Sequence, residues 1–345
     1  MWGSPPRIFF VEGGQDSGLS HGAPMALCWK ARNGRNCMKA ARINRFGGPE
    51  VITIDEIPDP VPAPDQVLID VHASAVNPAD WKGREGFYKD AAWYVLPHIP
   101  GRDFSGVIRA VGAAVEGFDV GEEVFGVTDQ GQEGAYATTL VMNPTIIANK
   151  PRNLSHAESA AICLGTLTAM VSLEGTAKLK KGETVLIHGG AGGVGAMAVQ
   201  LARRIGAHVI ATARASNADY VRSLGAERVI DYQSEDIATI GPVCDVVFDM
   251  VGGQDQRKLC SVLKPGGRLA WISRGPKDFK APDHVTVLRP DVKRGRQHLD
   301  RIAALAEAGE IKPPAITTLP LEKAAEAQEM LKHRKVPGKI VLTML

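Results

Sequence analysis

The chain has 345 residues, 44% of them hydrophobic, and a formal net charge of +2. That length exceeds one ordinary core and calls for about two domains. The near-neutral balance offers no field for nucleic acid or an acidic membrane surface, no apolar run reads as the roughly 18 residues of a membrane span, and the five cysteines form no CxxC, which suggests reduced thiols.

Residues 1–37 are rich in Gly, Ser, Asn and Pro, show no sustained period and lack the continuous apolar core of a signal peptide. Arg7, Arg32 and Arg35 leave a mitochondrial presequence open, but Glu12 and Asp16 interrupt it. An N-terminal extension, partly disordered, is expected there. Patterned sequence opens at Met38. From there to residue 160 the texture is β-rich, with runs such as Val67–Val71 and Gly106–Val111 separated by Pro and Gly turns. The prolines at 58, 60, 62 and 64 forbid regular structure before the Val67 strand.

From residue 161 to 309 strands alternate with helices. The pattern predicts strands at 184–188, 208–212, 228–231, 245–249 and 268–272, and helices at 193–205, 217–224 and 254–263. Such alternation means an α/β, doubly wound parallel sheet. A helix over 294–308, a strand at Ile316–Thr318, a helix over 321–333 and a strand at Lys339–Leu342 follow. This tail is expected to return to the first domain, which then comprises 38–160 and 310–345.

The sharpest local signal is Thr184–His188 running into Gly190-Ala191-Gly192-Gly193-Val194-Gly195. A strand, this glycine turn and a helix are the setting in which a dinucleotide binds, its phosphates lying on free amides at the helix N-terminus. Gly190 permits the tight turn, Gly192 admits the pyrophosphate and Gly195 lets helix and strand pack; Gly193 and Val194 complete the cradle. The rival reading is a glycine-rich turn in a non-binding α/β domain.

An NAD site places an acid near the end of the second strand, to bind the ribose hydroxyls. Here that end reads Ala211-Thr212-Ala213-Arg214-Ala215-Ser216-Asn217, with no acid before Asp219. A guanidinium binds a 2′-phosphate bidentately. Arg214 is therefore read as a phosphate clamp with Ser216 and Asn217 as donors, and the cofactor as NADPH; the bland alternative is a solvated arginine. Ligands bind beyond the carboxyl ends of parallel strands, so Met250, Val251, Gly252, Ile272 and Ser273 should pass the nicotinamide.

Several ordered motifs carry a family resemblance. They are Val76-Asn77-Pro78-Ala79-Asp80-Trp81, Pro100-Gly101-Arg102-Asp103-Phe104-Ser105-Gly106, Val120–Gly126, Gly134-Ala135-Tyr136-Ala137, Gly165–Ala169, the glycine turn and Gly338-Lys339-Ile340-Val341. Over residues 38–345 the chain resembles the medium-chain dehydrogenase/reductase family, in its zinc-independent quinone oxidoreductase branch. The resemblance implies a GroES-like β-rich catalytic domain, a Rossmann domain, a cleft between them, and homodimers or homotetramers. Where zinc enzymes of the family hold a cysteine and a histidine, this chain reads Ala75–Asp80 and Gly101-Arg102-Asp103; Arg102 cannot ligate zinc, so no metal is expected. The scattered His72, His98 and His156 are read as structural.

By resemblance Asn77 and Asp80 lie at the cleft floor, Asn77 near the nicotinamide or the substrate oxygen. Tyr88 resembles the cleft tyrosine, with Tyr94 as rival, and a phenol there donates a proton. Thr166 resembles a cofactor-contacting threonine and is placed before the first Rossmann helix. Tyr232 resembles a residue beside the adenosine phosphate. Lys339 either reaches the cofactor or is an exposed strand residue, and Asn-Pro-x-Asp is also a plain helix-start signal. The expected function is hydride transfer from NADPH to a quinone or α,β-unsaturated carbonyl, in the cytoplasm. The rivals are a 2-enoyl-thioester reductase of this fold and an NADPH-binding protein without turnover, as in lens crystallins of this branch.

Overall fold

The structure, a computed structural model, describes residues 37–129, 131–132, 134–293, 295–333 and 336–344. The first domain opens with a hairpin, β1 (Cys37–Ile43) and β2 (Ile52–Pro58). Then come β3 (Val67–Ala75), α1 (Pro78–Arg84), β4 (Asp103–Val111), β5 (Glu123–Val127), β6 (Thr139–Met142) and β7 (Ile147–Asn149). Helix α2 (His156–Met170) leads into the second domain. There β8 (Thr184–His188), α3 (Gly193–Ile205), β9 (His208–Ala213), α4 (Ala218–Ser223), β10 (Arg228–Asp231), β11 (Cys244–Asp249), α5 (Asp255–Ser261), β12 (Leu263–Trp271) and β13 (Val285–Leu288) alternate. The chain closes with α6 (Arg296–Glu307), β14 (Ile316–Pro320), α7 (Ala324–Lys332) and β15 (Lys339–Thr343).

The Rossmann sheet has the order β10-β9-β8-β11-β12-β13, every pairing parallel. Its order reverses between β8 and β11, and that switch point opens a crevice at the carboxyl ends of the strands. Val185, Leu186 and Ile187 are fully buried because helices cover both faces. Helix α3 turns Ala196–Ala202 into the core and stops at Gly206, whose left-handed φ of 86° closes the last turn.

The GroES-like sheet runs β14-β15-β3-β4-β5-β7, with β6 also on β3. Strand β15 pairs antiparallel with β3, so the tail does return to the first sheet.

Three features differ from expectation. Helix α2 spans the 160/161 boundary and, continued by a π-helical turn over Val171–Thr176, is long and apolar enough by composition to cross a membrane over 21 residues. Yet 72% of its most apolar stretch is buried inside the protein. A helix buried on every side carries no amphipathic period, which is why periodicity misses it. Thr166 lies inside this helix, ahead of α3 in the chain. Strand β13 adds a sixth strand to the Rossmann sheet. Cys163, Cys244 and Cys260 are free, buried thiols, but Cys37, on the exposed start of β1, is disulfide-bonded. The N-terminal extension lies outside the described residues apart from Cys37.

Candidate active site

The glycine turn joins β8 to α3. Its register is held by β9: Gly190 N donates to Thr212 O at 2.9 Å and Gly189 N to Thr212 Oγ1 at 3.0 Å. A Cβ on Gly195 would stand 2.1 Å from Gly189 O, so strand and helix meet backbone to backbone. At Gly192 a Cβ finds no atom nearer than 3.6 Å, leaving room beside the turn. The amides of Gly193, Val194 and Gly195 open α3, where first-turn N–H groups lack intrahelical acceptors and the helix dipole favours an anion.

The loops after β11 and β12 converge on the same edge. Asp249, fully buried, accepts from Val251 N and Gly252 N at 3.0 Å each. Ser273 Oγ donates to Met250 O at 2.7 Å, Ile272 N donates to Asp249 O at 3.0 Å, and Val251 packs over Gly189. These five expected contacts thus form one wall beside the turn.

At the end of β9, Arg214 Nε donates to the Tyr232 hydroxyl at 2.8 Å. The two residues singled out separately are brought together, and among the described residues the terminal amino groups of Arg214 have no protein partner. Ser216 and Asn217 lie in the short 3-10 turn that follows Arg214. Asp231, just before Tyr232, accepts from Ser234 Oγ and Gln233 N instead of from Arg214. A groove of about 320 Å³ runs past His188, Thr212, Tyr232 and Ser234. A larger groove of about 530 Å³, between Lys150 and α6, is lined by none of the expected site residues.

The first domain contributes a buried polar network. Asn77 caps α1, and its N–H donates to Asp80 Oδ2 at 2.7 Å, which also accepts from the Tyr136 hydroxyl at 2.8 Å. The Asn77 amide group donates to Ala75 O and Asp103 Oδ2, both at 3.1 Å. Lys339 Nζ donates to Asn77 Oδ1 at 2.7 Å and Asp103 Oδ2 at 2.9 Å, and Leu164 N donates to Asp103 Oδ1 at 3.2 Å. Burial pushes the Asp80 carboxyl up to about 6, against the opposing hydrogen bond from Asn77 and the charge of Arg102. Burial, then the neighbouring Asp80, lifts the Tyr136 phenol well above its ordinary range.

Two expectations change. Both amide protons of Asn77 are engaged by the protein, so Asn77 does not offer a donor to a substrate oxygen in this arrangement. Lys339 is 4% exposed and is not a surface residue. Asp103 and Tyr136, members of the family motifs, are the missing partners; no spacing reveals the Lys339–Asp103 pair, because 236 residues separate them.

Tyr88 stands apart. Its ring packs against Phe87, Trp93 and Tyr94, and Tyr94 lies against Gly83 at the far end of α1. Seven helical residues at 1.5 Å each separate that end from Asn77 by roughly 10 Å. His98 stacks on Tyr94, and His72 on His156. His156 Nδ1 lies 2.8 Å from Ser105 Oγ; burial, then His72, lowers its imidazole to about 4.

The residues fit a dinucleotide. Space beside Gly192, first-turn amides and a guanidinium with two open amino groups converge on the strand ends. Thr166 adds a fully buried hydroxyl with no partner among the described residues, one residue from Gly165, which abuts Gly193 O.

A GroES-like sheet whose polar floor touches the glycine turn of a Rossmann sheet defines a two-domain, nicotinamide-dependent oxidoreductase. Known proteins agree. Residues 63–152 match the alcohol dehydrogenase GroES-like domain and residues 224–342 the zinc-binding dehydrogenase domain. Human quinone oxidoreductase is 34% identical over 330 residues, covering 90% of this chain and 99% of its own. The chloroplastic NADPH-dependent alkenal/one oxidoreductase of Arabidopsis thaliana is 34% identical over 318 residues, 88% of this chain and 79% of that one. The solved quinone oxidoreductase from Coxiella burnetii superposes with a TM-score of 0.83 at 32% identity, over 90% of this chain and 100% of that one. The chain belongs to the medium-chain dehydrogenase/reductase family, in its zinc-independent quinone oxidoreductase branch.

Proposed function

We propose that this oxidoreductase reduces conjugated carbonyls, quinones or α,β-unsaturated aldehydes and ketones, with NADPH as the hydride source. The observation that carries the reading is the contact between the two domains: the buried Asn77–Lys339–Asp103 network lies directly against the phosphate turn, Lys339 Cδ being 2.7 Å from the Cβ position of Gly193. The names of the relatives point the same way, one to quinones and one to alkenals and alkenones.

When bound, the dihydronicotinamide supplies a hydride. The turn amides would hold the diphosphate and Arg214 the 2′-phosphate, and the loops carrying Val251 and Ser273 flank the crevice. Asn77, held by Lys339 and Asp103, fixes the floor on the first-domain side. Conjugation moves the incoming negative charge to the substrate oxygen, so the acceptor itself lowers the demand on the protein for charge stabilisation. At the far end of α1 the rings of Phe87, Tyr88 and Trp93 meet edge-on or tilted, an apolar aromatic cluster and not a flat platform. A simple alcohol, by contrast, would need a strong base to take its hydroxyl proton.

The test is NADPH oxidation followed at fixed enzyme over quinones, 2-alkenals, alkenones, enoyl thioesters and plain alcohols. Quinones or enones should turn over fastest. Faster reduction of enoyl thioesters, or alcohol oxidation exceeding both, would replace this reading. As further proposals resting on the family, the enzyme works in the cytoplasm as a homodimer or homotetramer.

A further inference from the structure

We propose that Lys339 is a positioning residue that ties the phosphate-binding turn of the Rossmann sheet to the carboxamide of Asn77. This rests on the nucleotide reading of the turn given above. One end of the Lys339 side chain holds Asn77: Nζ bonds Oδ1 at 2.7 Å, and Asp103 Oδ2 bonds both Nζ at 2.9 Å and Asn77 Nδ2 at 3.1 Å. The carboxamide is therefore held at its oxygen and at its nitrogen, which settles which way it faces.

The other end of the contact is the turn. The Lys339 stem lies across Gly193, where an added Cβ would meet Cδ at 2.7 Å and Cγ at 2.9 Å. Gly193 has no left-handed φ, so the lysine stem, and not backbone conformation, is what excludes a side chain there. One residue earlier, Gly338 N donates to Ala191 O at 2.8 Å, and Gly192 and Gly338 form a parallel bridge. Helix α2 repeats the clamp: Leu164 N reaches Asp103 while Gly165 abuts Gly193 O. A shift of the turn on filling by a diphosphate must move the Lys339 stem, and with it the group that orients Asn77. Cores this closely packed transmit such shifts instead of absorbing them.

The test is a double-mutant cycle read on nucleotide binding. The nucleotide, NADPH or NADH, is titrated by fluorescence into wild type, Gly193→Ala, Lys339→Ala and the double variant. A parallel set carries Asp103→Asn, so that no buried carboxylate is left without its counter-charge. Gly193→Ala should weaken binding about tenfold beside the intact stem and less than about threefold once the stem is gone. Equal losses in both backgrounds overturn the proposal. Lys339→Met keeps most of the stem and drops the ammonium. It should lower kcat about tenfold or more with the nucleotide Kd within about threefold, and change kcat less than about twofold in an Asn77→Ala background. A wild-type kcat in Lys339→Met, or a full further loss on top of Asn77→Ala, also overturns it. Since the cycle is read on binding, it decides the coupling even for an enzyme that reduces neither quinones nor enones.

Discussion

Arg214 and Asp80 show how differently single residues answer to their surroundings. Arg214 sits at the end of β9 with its Nε on the Tyr232 hydroxyl and, among the described residues, no carboxylate partner. A charged hydrogen-bonded contact is worth about 1.5–3 kcal/mol, so Arg214→Gln should weaken NADPH binding roughly tenfold to a hundredfold while NADH changes little. Fluorescence titration of both nucleotides checks this, and an equal loss for both would remove Arg214 from the 2′-phosphate. Asp80 is buried, with its carboxyl pushed from an ordinary 3.8 to about 6. The folded protein therefore holds this proton more tightly than the unfolded chain. Stability from Asp80 is fully present below pH 3.8, declines as pH rises to about 6, and stays lost above it, a change on the order of 3 kcal/mol. Asp80→Asn does not titrate, so its stability relative to wild type should improve as pH rises from 4 to 6. Urea unfolding at stepped pH reads that difference; a constant offset would mean that the folded carboxyl titrates normally.

The strand–turn–helix unit from β8 to α3 separates two uses of glycine. Gly195→Ala drives a Cβ to 2.1 Å from Gly189 O, a backbone collision. It should lower stability by about 1–3 kcal/mol and lose nucleotide binding with it. Gly192→Ala meets nothing closer than 3.6 Å. It should fold with a loss within about 1 kcal/mol, the penalty of alanine at a helix N-cap, yet bind nucleotide at least about tenfold more weakly as the Cβ fills the phosphate space. Thermal unfolding and titration on the same samples distinguish the two, and a Gly192→Ala protein with wild-type affinity would place the phosphates elsewhere. Elements of this kind were legible from sequence because strand, turn and helix are adjacent in the chain: β8, α3 and β10 fall where the pattern predicts them. Helix α2 was not, since every one of its faces is covered and no period survives.

At the scale of the molecule, the tail is what completes the first domain. Strand β15 lies between β14 and β3, and its Ile340, Val341 and Leu342 are fully buried. A chain ending at Gly309 loses these strands, exposes the β3 edge and removes Lys339. It should fail to give a cooperative thermal transition or to bind nucleotide. A soluble truncated protein with the wild-type Tm would show the tail to be peripheral.

The sequence by itself determined the two sheet domains, the glycine turn between β8 and α3, the return of the tail and the arginine at the end of β9, because each rests on spacing within a short stretch or on an ordered string of motifs. Tertiary structure alone decided that Lys339 is buried and paired with Asp103 across 236 residues, that Asn77 has no amide proton to give, and that Tyr88 belongs to the opposite end of α1. These depend on which side chains meet when two sheets pack. A buried charge must find its partner wherever the fold delivers one, and no local pattern records that meeting.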